Sequence, residues 1–210
     1  MALYRRPALP QTAYRDDAGA LIAYGRRWDA AGPPDEAYSR TSNLERFAPI
    51  HDVADALIAW LRADFDTDVE DDASVAADLL HDPGEVARAI RVSPRARDAA
   101  ALTFVFTPFP GVLLHAGALQ DCLFPVCGCD ACDDDVVELS DELEWTVRTV
   151  TTGGFSERIT RSSVHHAFSE PGVGSRSGEC RVQDLPATRI AAAREMIPAD
   201  GRWKAWPARP

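Results

Sequence analysis

From Pro49 onward, apolar residues return every three or four positions, at Ile50, Val53, Ala54, Leu57, Ile58, Leu61 and Phe65. That spacing predicts an amphipathic helix over about 50–65, with Pro49 suited to its first turn. A second stripe, Val136, Leu139, Leu143, Val147 and Val150, predicts a helix over 133–151 that ends at Gly153-Gly154. Asp133, Asp134 and Asp135 stand where a helix N-terminus favours negative charge. Between the stripes lie short runs rich in Val, Ile, Phe and Leu at 86–92, 101–107 and 111–116, which read as strands. Pro108-Phe109-Pro110-Gly111 reads as the hairpin connection between the last two.

Two more strands are expected at 155–161 and 163–169, and a short helix near 187–196 is reached through a glycine-rich loop at 171–178. Residues 1–48 have no period, and Gly32-Pro33-Pro34-Asp35 breaks any regular element, so an irregular N-terminal arm is expected, anchored by its aromatic rings. Residues 197–210 form a C-terminal tail. The whole, 1–210, is expected to be a single domain of the α+β class, an antiparallel sheet with the two main helices packed on one face.

Composition narrows the function classes. A length of 210 residues, 46% hydrophobic and 26% charged, suits one folded domain. A net charge of −11 disfavours nucleic acid and anionic membranes, whose affinity rests on Lys and Arg. No run approaches the roughly 18 apolar residues of a membrane span, and the N-terminus lacks the apolar stretch of a secretory signal. The five cysteines, an odd number, cluster mainly around 122–132 instead of spreading as a disulfide framework does, so a reducing cytoplasm is expected. Lys204 is the only lysine, which argues against P-loop and Schiff-base chemistry. The acidic run from Asp64 to Asp72 lacks the glycine and closing glutamate of a calcium loop and reads as a solvated edge.

The chemistry concentrates in Cys127-Gly128-Cys129-Asp130-Ala131-Cys132, three thiols in six residues before a helix start. Helix N-termini favour thiolates, and thiolates bind borderline metals such as zinc. The neighbouring aspartates oppose this unless a cation compensates. A structural zinc site usually has four ligands, so a fourth must come from elsewhere. Cys122, His115, His165 and His166 are the options, and His166 is preferred. His165 and His166 face opposite ways on a strand, so at most one can reach the cluster. The expected protein is thus a zinc-stabilised binding or accessory protein whose partner is another protein or a small molecule. The enzymatic alternative is a thiol–disulfide oxidoreductase using Cys129 and Cys132, which form a CxxC. GxSxG, HExxH and GK[ST] are absent, and Gly172 to Gly178 misses GxGxxG.

Taken together, Arg46-Phe47-Ala48-Pro49-Ile50-His51, Phe104-Val105-Phe106 with Pro110-Gly111, Phe124-Pro125-Val126-Cys127-Gly128-Cys129-Asp130-Ala131-Cys132-Asp133 and Gly174-Ser175-Arg176-Ser177-Gly178 resemble an uncharacterised actinobacterial family, a domain of unknown function. The resemblance spans most of the chain. It implies a single-domain, bacterial, cytoplasmic protein and carries no activity.

Overall fold

The apolar stripe after Pro49 becomes the first helix, α1 (Pro49–Asp64), in a computed structural model that describes residues 4–209. Its buried face holds Ile50, Val53, Leu57 and Leu61, as the spacing predicts, and Phe65 leaves the helix in extended conformation. Five strands follow as an antiparallel meander: β1 (Thr67–Asp71), β2 (Arg88–Pro94), β3 (Leu102–Thr107), β4 (Gly111–Ala116) and β5 (Gln120–Phe124). The second helix, α2 (Val136–Thr151), leads into a three-stranded meander of β6 (Phe155–Ile159), β7 (Ser163–Glu170) and β8 (Gly174–Arg181), and α3 (Ala187–Met196) precedes the tail. The fold is α+β, with antiparallel strands divided between two sheets. No described helix is long and apolar enough to cross a membrane.

The main core lies between α1, α2 and one face of each sheet. Phe104, Leu114 and Phe124 from the larger sheet meet Leu57 and Leu61 of α1, Leu143 and Val147 of α2, and Phe155 and Phe168 of the smaller sheet. α1 packs on β1, β2 and β4, and α2 packs on α1 and β7. The strands alternate as a sheet requires, so Ala89, Val105 and Leu113 point to the far face. There they meet Val75, Ala76 and Leu79 from the short 3₁₀ helix at 73–78 and its end, which form a second apolar cluster. β3 is therefore buried on both faces.

Four segments differ from the sequence expectation, the first being β5, for which no strand is expected. β1 falls within the acidic run, whose charges suit an edge strand paired only with β2. β8 occupies much of the expected glycine-rich loop, because its residues are exposed and lack an apolar face. The tail is an ordered strap. Trp203 and Trp206 are buried, Trp206 Nε1 donates to the Ala100 carbonyl at 2.9 Å, and Arg209 N donates to the Asp64 carbonyl at 2.8 Å.

Candidate metal centre

The thiols sit on an irregular turn that runs from the end of β5 to the start of α2. Cys127, Cys129 and Cys132 are free thiols whose sulfurs all lie within 4.8 Å of one another. Cys129 Sγ is 3.5 Å from Cys132 Sγ, and the Cys129 amide donates to Cys127 Sγ at 3.3 Å. Cys129 is buried, Cys127 half-buried and Cys132 exposed. Hydrogen bonds from the Cys127 thiol and the Cys132 amide draw the Cys129 thiol below its ordinary pKa. Partial burial of its sulfur, with Cys129 and Cys127 beside it, pushes Cys132 up to about 12.

The N-terminal arm builds the frame of this turn. Asp130 is fully buried, and its carboxylate accepts from the Ser42 amide and hydroxyl, both at 2.8 Å, with Arg40 and Arg27 guanidinium nitrogens at 3.5 and 3.7 Å. The Asp130 amide donates to Arg40 O at 2.7 Å, and Ala131 N to Ala37 O at 3.1 Å. Asp133, in a left-handed conformation at φ 55°, accepts from Arg27 N at 2.7 Å. Asp135 caps α2 by accepting from Val137 N at 2.7 Å and Glu138 N at 3.2 Å. Asp130, Asp133 and Asp135 are thus engaged by the arm or by the helix start, and only Asp130 has cationic partners, Arg27 and Arg40.

Arg46 supplies a buried positive charge nearby. Its guanidinium lies 4.0 and 4.2 Å from the Phe47 and Tyr24 ring centres and reaches the Asp134 carbonyl at 3.5 Å. Only its place in a motif of the resemblance hinted at this role. Gly128 is needed for space and not for a left-handed backbone. A Cβ there would stand 2.5 Å from Phe109 Cζ and 3.1 Å from Leu44 Cδ2.

The candidate fourth ligands lie elsewhere. His166 is on β7, half-buried beside Gly178 and 6.2 Å centre to centre from Phe168, and is not in the thiol group. Burial, then the charge of Arg176, holds it below the usual imidazole pKa. His165 pairs with Glu179 at 3.1 Å. His115 and His81 both bind Asp121, at 2.7 and 3.0 Å, on the far face of the larger sheet. His51 contacts the Gly111 carbonyl at 2.9 Å. Cys122 faces the core on β5, 3.5 Å from Arg176 Nη2, and Cys180 is exposed on β8. Among the described residues the group is the three cysteines.

Residues 10–210 match a family of unknown function, DUF6226. The chain belongs to that family. The match covers both sheets, the thiol turn and all but the start of the arm, so in this DUF6226 protein the cluster and its frame lie inside the family domain. No curated protein and no solved structure matches the chain.

Proposed function

We propose that Cys127, Cys129 and Cys132 hold one zinc ion as thiolates, and that the ion fixes the turn before α2, on which the N-terminal arm docks, in a cytoplasmic binding or accessory protein. The observation that carries this reading is the mutual approach of the three sulfurs within 4.8 Å. Zinc–sulfur bonds of about 2.3 Å in a tetrahedron separate sulfurs by about 3.8 Å, so only small side-chain rotations are needed. The Cys129 amide on Cys127 Sγ is the kind of outer hydrogen bond that orients a ligand. The net charge of −11 suits a basic protein or a cationic small molecule as partner, bound more weakly as salt rises.

Removal of zinc by a chelator should lower the melting temperature by about 5–10 °C, because binding energy at such a site is folding energy. Each of Cys127→Ser, Cys129→Ser and Cys132→Ser should melt near the chelated value and lose its response to chelator. Variants that melt like the parent, with or without chelator, would contradict the reading.

The 3.5 Å approach of Cys129 and Cys132 also supports a second reading, thiol–disulfide exchange. A disulfide reductase or isomerase activity that vanishes in Cys129→Ser would favour it over zinc.

A further inference from the structure

We infer that the metal at Cys127, Cys129 and Cys132 keeps its fourth coordination position open to the thiolate of a small-molecule thiol from outside the chain. The inference rests on the zinc reading and adds the ligand class. Three features support it.

The first is the placement of the chain's own donors. All five histidines are described, and each lies outside the thiol group, four of them already bonded or paired through a ring nitrogen. Of the carboxylates that share the turn, Asp130 on Ser42, Asp133 on Arg27 and Asp135 on the amides of α2 are tied down, and Asp134 is half-buried with Arg46 on its carbonyl. Recruiting one of them would break the frame that shapes the turn. A site with three protein ligands and one exchangeable position is how zinc meets external ligands, whereas closed sites take all four from the protein.

Access is the second feature. Cys132 is exposed, and Val126, next to the first thiol, is 79% exposed. A small molecule can thus approach the sulfur cluster along the turn without opening the core.

The third is charge and softness. Zinc with three thiolates carries one net negative charge, and a fourth thiolate makes it two. Arg27 and Arg40 pair with Asp130 within the cluster, and Arg46, on the Asp134 carbonyl, adds a further guanidinium charge to the turn that offsets part of that negative charge. Softness then favours sulfur over water or carboxylate at a metal already held by sulfur. Binding displaces the water or other light donor at the fourth position, and the incoming thiol releases its proton to solvent.

The test uses the full chain loaded with zinc and kept reduced by a phosphine in place of a thiol. X-ray absorption at the zinc edge should show about three sulfur neighbours and one lighter donor. Saturating 2-mercaptoethanol should raise the sulfur number by about one, with a dose dependence that saturates. Imidazole at the same concentration should compete weakly. The cobalt-substituted chain should show the parallel change in its visible bands.

A fourth sulfur already present without added thiol, and lost in Cys122→Ser or Cys180→Ser, would overturn the inference. So would an imidazole signature lost in His166→Ala or another histidine variant, or a zinc environment that 2-mercaptoethanol leaves unchanged. In those three outcomes zinc is still bound, so the zinc reading survives. A chain that takes up no metal overturns both.

Discussion

Gly128 shows how a single residue shapes the centre. Its missing side chain lets the Phe109 ring and Leu44 close over the turn, and a methyl group there meets Phe109 at 2.5 Å. Gly128→Ala should cost about 1–3 kcal/mol through overpacking and weaken zinc binding with it. Phe109→Ala in the same chain should restore most of the metal affinity, as a chelator competition would read. No restoration would mean the glycine acts on the backbone alone. A glycine between two cysteines suggests, from sequence alone, only backbone freedom. The packing reason depends on Phe109, nineteen positions earlier and across a hairpin, which no local pattern reveals. The arm's guanidinium and amide contacts to Asp130 and Asp133 are hidden for the same reason, since they join residues about 88–106 positions apart.

At the scale of elements, the two helical stripes were legible because a core-facing helix must repeat its apolar residues every turn. Leu57 and Leu143 are buried on those stripes, and aspartate at either should unfold the domain by burying an unpaired charge. Circular dichroism melts of the two variants check this, and native-like melting in both would refute the packing.

Less legible was the polar row on the far face of the larger sheet. Glu70, Arg91, Thr103, His115 and Asp121 stand in register across β1 to β5. Asp78 accepts from Arg91 Nε at 2.7 Å and from Thr103 Oγ1 at 2.6 Å, and Asp121 also accepts from Leu80 N at 2.8 Å. A polar residue in each strand reads as solvent-facing until the 73–81 segment is seen to cover it. Burial alone raises the Asp121 carboxyl, but the bonds from His115 and His81 outweigh it and hold it below the ordinary value. Asp78 is lowered against burial in the same way, by Arg91 and Thr103. A carboxylate with a depressed folded pKa stabilises the fold above its unfolded pKa and loses that contribution as pH falls through the folded value. Stability should therefore fall as pH drops below about 4. Asp121→Asn should cost about 2–3 kcal/mol near neutrality and flatten that acid limb. Urea unfolding across pH 3–7 measures both, and an unchanged acid limb would count against the network.

In the whole molecule, a buried carboxylate ties the two sheets together. Buried Glu157 on β6 accepts from Ala118 N and Leu119 N of the β4–β5 turn at 2.9 and 2.8 Å, and from Trp203 Nε1 of the tail at 2.8 Å. Burial raises its pKa even so. Trp206 fills the space beside Phe65, ring centres 5.6 Å apart. Trp206→Ala should lower stability by about 3–5 kcal/mol, read as a shift of the urea midpoint, and a shift near zero would show the strap to be dispensable. No local pattern shows that β6 fails to pair with the first five strands, which divides the sheets, and the strap depends on contacts such as Trp206 to Ala100, 106 positions apart. The class itself was legible from the alternation of stripes and short apolar runs.

If the three thiols act as one metal site, they must hold the metal jointly. Native mass spectrometry of protein purified under reducing conditions tests that most directly. The expected result is a mass increment of about one zinc ion per chain, lost in Cys127→Ser, Cys129→Ser and Cys132→Ser and retained in Cys180→Ser. A metal-free parent whose five thiols all titrate freely after zinc is supplied would contradict it.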